Sequence, residues 1–155
     1  EQLNQLKEAL LRSPTSRGRN PWQFILIDDP AQLEAVSKAK MHGSAFIADA
    51  NLAFVICADE SVSDVWIEDC SIAAITLQYM AHSLGLGSCW AQIRLREHDA
   101  ATSAEAYLQK LLEIPAQVRI ASVIGIGHPA EEKDGHSFAT LPEGKFHINR
   151  HEKRG

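Results

Sequence analysis

A long apolar segment, from Asp64 to Leu84, limits the folds open to this chain more than any other part of the sequence. Its apolar residues recur at intervals of three and four, which is the spacing of an α-helix. A helix that is apolar on two sides must be covered on two sides. The second cover is either another subunit or the rest of the same chain, and the pattern does not favour one alternative over the other. The residues form two stripes, one of Trp66, Cys70, Ala73, Leu77, Met80 and Leu84 and another of Ile72, Ile75 and Tyr79.

Polar residues and a glycine mark the two ends of this predicted helix. Ser63 is a candidate N-cap, and the acidic residues Asp64, Glu68 and Asp69 suit the positive end of a helix dipole. Gly85 follows the last apolar residue and is the expected helix stop.

Two glycine pairs resemble phosphate-binding loops but lack the necessary context. A dinucleotide fingerprint needs a strand, then G-x-G-x-x-G, then a helix. At Gly85 and Gly87 the helix comes first, and Trp90 occupies the position of the third glycine. A second candidate, GIGHPA at 125–130, follows a strand, but too little chain remains after it for a βαβ unit. Neither stretch is a phosphate loop, and Gly87 is expected instead to allow close backbone packing where a strand begins.

Shorter segments on both sides of the long helix alternate between helical and extended patterns. A cap and proline at 29–30 begin one further helix, and Thr102 with Glu105 forms a capping box for another. The residues after 127 show little periodicity, and such a tail normally lies on something, for example a neighbouring subunit. The pattern predicts an α+β or α/β protein with about four strands (22–27, 52–58, 86–93 and 118–127) and four helices (1–12, 29–40, 64–84 and 102–113).

Composition excludes several classes of protein. The 155 residues are expected to form a single domain (1–155), and their net charge of −5 argues against a general nucleic-acid binder. No apolar run reaches the roughly 18 residues of a membrane span, and the first residues lack the features of a signal peptide. Three widely spaced cysteines fit neither a disulfide framework nor a zinc site, and the seven histidines lack metal-ligand spacing. We expect Cys57, Cys70 and Cys89 to be buried apolar residues of a cytoplasmic protein.

Three stretches of the chain occur in an order and spacing that together are quite specific. They are SPTSRGRNPWQFILIDD, DCSIAAITLQYMAHSLGLGSCW and IPAQVRIASVIGIGHPAEEK. In this arrangement the chain resembles the nitroreductase family of FMN-dependent, NAD(P)H-using flavoproteins, from about Leu3 to Lys133. The resemblance implies an α+β fold with a mainly antiparallel sheet flanked by helices. It also implies a homodimer with the 64–84 helix at its interface and two FMN sites between the subunits.

The resemblance further implies which residues contact the flavin. In the family, a P-S-S-x-N-x-Q-P-W loop lies along the flavin ring and ribityl chain, often from the partner subunit. The strand after LGLG passes the flavin edge, where a backbone N–H meets the reactive N5. Lys133 is among the nearest polar candidates for the phosphate, and Arg19 is a further candidate cation. The implied cofactor-binding residues are Pro14, Thr15, Ser16, Arg17, Gly18, Asn20, Gln92, Ile93 and Lys133.

A flavin carries the hydride transfer itself, so neither a catalytic side chain nor a metal is expected. The resemblance implies an oxidoreductase that passes hydride from NAD(P)H through FMN to a nitroaromatic or quinone in a ping-pong sequence. One alternative is a flavin-binding or flavin-handling protein of the same fold without turnover. Another is a structural dimer without a ligand.

The chain departs from the family pattern at several positions, all of which concern flavin binding. The usual R-R-S-x-R segment does not precede the first helix, and the C-terminal K-x-R has no clear match. Gly18 stands where asparagine is common, and Ile93 stands where glycine is common. Thr15, Ser16 and Asn20 are also residues that any turn would use. We therefore expect these 155 residues to bind FMN weakly or to be isolated without it.

Overall fold

One antiparallel sheet and four α-helices make up the fold of residues 1–151, the part of the chain that this computed structural model describes. The strands pair in the order β1-β2-β4-β3, so that β1 and β3 form the two edges. This architecture confirms the predicted α+β class. The strands are β1 (Trp22–Ile27), β2 (Leu52–Asp59), β3 (Gly87–Gln92) and β4 (Val118–Gly127), and the helices are α1 (Gln2–Leu11), α2 (Pro30–Ser37), α3 (Trp66–Ser83) and α4 (Ala104–Leu111).

Helices cover both faces of the sheet. Side chains of a strand point alternately to opposite faces, and β2 follows this rule. Phe54 and Ile56 pack with residues of α1 and α3, whereas Val55 and Cys57 pack with residues of α2 and α4. The central strands β2 and β4 are buried on both faces, which explains why their sequences are almost continuously apolar.

The strands lie close to their predicted positions, but the predicted caps of two helices are wrong. Val65 occupies the cap position of α3, and the hydroxyl of Ser63 donates instead to the buried carboxyl group of Asp69. Ser103, not Thr102, caps α4, because its hydroxyl accepts the Ala106 N–H at 3.1 Å. Helix α2 also ends at Ser37, three residues before its predicted end at Lys40.

The two glycines between α3 and β3 have different roles. Gly85 adopts φ +72°, the left-handed conformation of a helix stop, as predicted. At Gly87, a Cβ atom would lie 3.5 Å from its nearest neighbour, the Cβ of Pro129, which is an ordinary contact. The expectation that close packing requires Gly87 was therefore wrong.

The two apolar stripes of α3 have different surroundings. Cys70, Ala73 and Leu77 have no exposed surface and pack against the sheet and α1. Ile75 of the second stripe is 43% exposed and Tyr79 is 70% exposed. The described chain therefore covers only one side of this helix, and the alternative of a helix wholly buried within one chain was wrong.

The segment from residue 128 to residue 151 is exposed throughout. It contains two short 3-10 turns, Phe138–Thr140 and Glu143–Lys145. Four large apolar side chains of this segment face solvent, namely Phe138, Leu141, Phe146 and Ile148. Within residues 1–151, none of the helices is both long and apolar enough to cross a bilayer.

Candidate functional site

The candidate site begins at the open edge of β3, which pairs with β4 alone among the described strands. Just beyond the strand, the N–H of Ile93 donates to the carbonyl of Ala121 on β4 at 3.2 Å. Successive residues of an edge strand point their N–H groups alternately toward and away from the neighbouring strand. The N–H of Gln92 therefore points away from β4, toward the open edge. Of the two residues implied to meet a flavin, Gln92 offers a main-chain donor, whereas Ile93 has used its own and is fully buried.

The side chain of Gln92 braces the end of β3. Its Oε1 accepts the indole N–H of Trp90 at 3.1 Å, and its Nε2 donates to the carbonyl of Arg94 at 3.0 Å. The next residue, Leu95, is 74% exposed at φ +60°, an uncommon conformation for a branched side chain. These bonds fix the path of the chain past the point where the Gln92 N–H faces outward.

A groove of about 700 Å³ lies beside the first half of β3, lined by Phe46, Ser88, Cys89, His128 and Lys133 among others. Lys133 is exposed and forms a 2.7 Å ion pair with Glu131. The hydrogen bond and the charge of Glu131 raise the pKa of Lys133. Cys89 is exposed, in contrast to the expectation that all three cysteines are buried, because it lines this open groove.

Lys40 is a second cation near this edge, and it is not among the site residues predicted from the sequence. Burial lowers the pKa of Lys40, and the charge of Arg96 lowers it further. The segment that carries Lys40 is joined to the segment after β3, because the Met41 N–H donates to the carbonyl of Glu97 at 3.4 Å. No spacing in the sequence indicates this approach, which depends on the way two loops meet in the fold.

These groups fit the FMN that the sequence resemblance implies. The groove has a volume within the range of about 300–1,000 Å³ that is typical of ligand sites. Lys133 and Lys40 supply positive charge suited to a phosphate group, and the Gln92 N–H supplies a neutral donor suited to a polar ring edge. Lys133 and Gln92 lie toward opposite ends of β3, since residues beside Lys133 line the groove at Gly87.

The loop that precedes β1 holds the other implied residues, and it is folded tightly on itself. The Thr15 hydroxyl donates to Oδ1 of Asn20 at 2.8 Å and accepts the Asn20 N–H at 3.1 Å. Three residues of this loop have positive φ: Arg17 (+55°), Gly18 (+65°) and Asn20 (+49°). Glycine at position 18 is therefore suited to its backbone conformation. The side chains of Pro14, Arg17 and Asn20 are exposed.

Two contacts join this loop to the start of α3. The N–H of Ser16 donates to Oδ1 of Asp69 at 2.8 Å, and Nη1 of Arg19 lies 3.2 Å from Oδ1 of Asp64. Asp69 is buried, whereas the Asp64 side chain is 86% exposed.

The loop and the β3 edge are separate within one chain. The loop leads into β1 at one edge of the sheet, and Gln92 ends β3 at the other edge. Neighbouring strands are about 4.8 Å apart, so the two edges are about 14 Å apart. Within residues 1–151, hydrogen bonds and ion pairs join the loop to α3 and not to β3. One chain therefore does not bring the two implied halves of the site together.

The sequence model of the Nitroreductase family matches residues 38–128 of this chain. A protein from Archaeoglobus fulgidus, named NADH dehydrogenase/NAD(P)H nitroreductase, is 33% identical over 138 residues, which cover 86% of this chain and 76% of that protein. A protein of the same name from Methanothermobacter thermautotrophicus is 32% identical over 134 residues, or 84% of this chain and 67% of that protein. Among solved structures, an FMN-dependent nitroreductase from Clostridium difficile superimposes with a TM-score of 0.95 at 40% identity, over 97% of this chain and 87% of that chain.

Proposed function

Because this chain belongs to the nitroreductase family, we propose that it is an FMN-dependent oxidoreductase that takes hydride from NAD(P)H and delivers it to an electron-poor acceptor such as a nitroaromatic or a quinone. The Clostridium difficile protein is described as FMN-dependent, and the Archaeoglobus relative is named for NAD(P)H. The observation that carries the proposal in this chain is the outward-facing N–H of Gln92 at the end of β3, the same edge strand whose first half lines the groove that contains Lys133.

When it is bound, FMN accepts and donates the hydride, so the protein needs only to place and polarise it. In our proposal the Gln92 N–H donates to the flavin ring, and Trp90 and Gln92 hold that part of the strand in position. Lys133 and Lys40 hold the phosphate, since a charge-assisted hydrogen bond is about twice as strong as a neutral one. Pro14, Thr15, Ser16, Arg17, Gly18 and Asn20 line the ring from the other side, and Ile93 contributes packing beneath the strand.

We further propose that the active unit is a homodimer. The exposed stripe of α3 is an apolar surface of Ile72, Ile75 and Tyr79 on an otherwise packed helix. A second copy on this stripe removes these side chains from water, which is favourable. It also allows the loop of one subunit to meet the β3 edge of the other. The exposed apolar side chains after residue 128 give the partner a second surface to contact.

We also propose a ping-pong sequence, in which NAD(P)H leaves before the acceptor enters, because one flavin serves both substrates in turn. The test has two steps. FMN-loaded protein is first mixed with NADH or NADPH without air, and loss of the yellow colour shows reduction. Initial rates are then measured at several concentrations of donor and of a quinone.

Reduction followed by parallel double-reciprocal lines is the expected result. Bound flavin that neither nucleotide reduces would contradict the oxidoreductase and favour the flavin-handling alternative. Intersecting lines would show that both substrates bind together and would overturn the ping-pong sequence alone.

A further inference from the structure

Asp69 is a buried acidic residue that connects two parts of the molecule distant in sequence. It is 1% exposed and lies in the first turn of α3. Each of its carboxyl oxygens accepts a hydrogen bond from an uncharged donor. Oδ1 accepts the N–H of Ser16 at 2.8 Å, and Oδ2 accepts the hydroxyl of Ser63 at 3.0 Å. Burying a carboxyl group costs free energy unless it is hydrogen-bonded. The bonds to Ser16 and Ser63 offset that cost, and they join Asp69 to two segments that precede α3 in the chain.

The bond to Ser16 is the firmest link between α3 and the loop at 14–20. The bonds of Thr15 to Asn20 give the loop its shape, but they do not determine where the loop lies. The other link, between Arg19 and Asp64, is largely exposed, and such ion pairs contribute little. The packing of α1 and β1 beside α3 holds the two ends of the loop, and Asp69 supplies the buried polar contact to the loop itself.

Helix α3 also carries the exposed apolar stripe, whose members Ile72 and Ile75 follow Asp69 by about one and two turns. The loop is thus attached to the same rigid helix that presents the proposed dimer surface. Where a partner subunit packs on the stripe, the helix fixes the direction from which the loop approaches that partner.

We propose that Asp69 is a positioning residue, which holds the 14–20 loop in the place from which its residues contact FMN on the partner subunit. The inference rests on the proposed function for the identity of the ligand. The anchoring of the loop itself is independent of the ligand and is measured separately.

The first experiment compares FMN affinities by flavin-fluorescence titration of full-length variants. Loss of the carboxyl group in Asp69→Ala is expected to weaken FMN binding at least about tenfold, the effect of losing a hydrogen bond to a charged group. Asp69→Asn keeps an oxygen for the Ser16 N–H and is expected to restore affinity to within about threefold. Asp64→Ala, which removes the exposed link to the same loop, is the matched control and should stay within about twofold.

The second experiment uses the protein without FMN. Trypsin cleaves after Arg17 and Arg19, both inside the loop, and mass spectrometry identifies the fragments. We expect cleavage at these sites to be at least about tenfold faster in Asp69→Ala than in the wild type. A loop that has lost its bond to α3 opens more often into a conformation that the protease can bind. Asp69→Asn and Asp64→Ala should be cleaved at close to the wild-type rate.

A third pair of variants covers the case in which Asp69→Ala does not fold. Ser16→Pro removes the N–H that Asp69 accepts, together with the Ser16 hydroxyl. It suits the first position of a 3-10 turn after the extended Thr15 (φ −131°, ψ 159°). Ser16→Ala also lacks the hydroxyl but keeps the N–H, so the effect of the N–H is the difference between these two variants. Faster cleavage and weaker FMN binding in Ser16→Pro than in Ser16→Ala support the proposal.

Unchanged cleavage in both Asp69→Ala and Ser16→Pro would overturn the anchoring role. Faster cleavage with unchanged FMN affinity would overturn the role in flavin placement. Wild-type protein that binds no FMN would contradict the proposed function, and the cleavage rates would still decide whether Asp69 anchors the loop.

Discussion

Gln92 and Ile93 are neighbours in sequence, and the pairing of β3 with β4 distinguishes their main-chain N–H groups. Sequence position alone implies both as contacts to a flavin. The bond from Ile93 to Ala121 shows that its N–H is already used, and alternation then turns the Gln92 N–H outward. Only the register of a strand pair carries this information, and register depends on a partner that lies about thirty residues away in the chain.

We predict that Gln92→Pro impairs flavin reduction more than Gln92→Ala does. Both variants lose the side chain that braces Trp90 and Arg94, but only proline removes the N–H. Proline is tolerated on an edge strand where its nitrogen faces away from the sheet. The rate of FMN reduction by NADH, measured by stopped flow, should fall at least about tenfold further in the proline variant. Equal rates in two folded variants would show that the side chain matters and the N–H does not.

The three cysteines provide a second prediction, on thiol reactivity. Burial raises the pKa of the Cys57 and Cys70 thiols to about 12, so both stay protonated and unreactive at neutral pH. Cys89 is exposed. A disulfide reagent such as Ellman's reagent should therefore modify one thiol per chain in the native protein and three after unfolding. The Cys89→Ser variant should show no rapid reaction, and rapid modification of that variant would contradict the burial of the other two.

Among the secondary-structure elements, α3 was the most predictable, because its two stripes follow helical spacing over five turns. The caps were less predictable. Several polar residues lie near the start of each helix, and tertiary contacts determine which of them becomes the N-cap. Glu105 illustrates this, since it binds the guanidinium of Arg119 at 2.8 Å and the Ile120 N–H at 2.8 Å instead of completing a capping box with Thr102.

The stripes of α3 predict opposite outcomes for the same substitution. Ile75→Asp places a charge on the exposed stripe and should abolish the dimer while leaving a folded monomer. Leu77→Asp buries an unpaired charge in the core and should unfold the chain, because Leu77 has no exposed surface. Sedimentation velocity and circular dichroism measure the two effects. A wild-type monomer at micromolar concentration, or a dimer that persists in Ile75→Asp, would refute the assignment of the interface.

For the molecule as a whole, the sequence predicted four strands but not their order. Each strand shows its own apolar pattern, whereas the order β1-β2-β4-β3 arises from pairings between distant segments. That order places the two implied halves of the flavin site at opposite edges of the sheet.

The order β1-β2-β4-β3 also builds both core clusters on one sheet, so we predict that residues 1–155 unfold as a single domain. Calorimetric and van't Hoff enthalpies should agree, and two resolved transitions in the apo-protein would argue against one domain.

Complementation between defective subunits tests whether two copies share each site. Ser16→Pro damages the loop half and Gln92→Pro damages the strand half, so each homodimer has only damaged sites. In a mixed dimer, one site receives both defects and the other receives none. Refolding equal amounts together should restore about a quarter of the wild-type activity, as half the dimers are mixed and half of their sites are intact. Proteins refolded separately and assayed immediately after mixing, before their subunits exchange, should show no such recovery, and a co-refolded sample without recovery would show that each site belongs to one chain.

The exposed stripe of α3 also has a consequence for dosage. If each site is assembled from two copies, then dilution dismantles the sites as well as the dimer. Specific activity would then fall as the enzyme is diluted below its dissociation constant, and a cell that halves the amount of protein would lose more than half of the activity. Abundance would thus act as a control on the reaction without any effector.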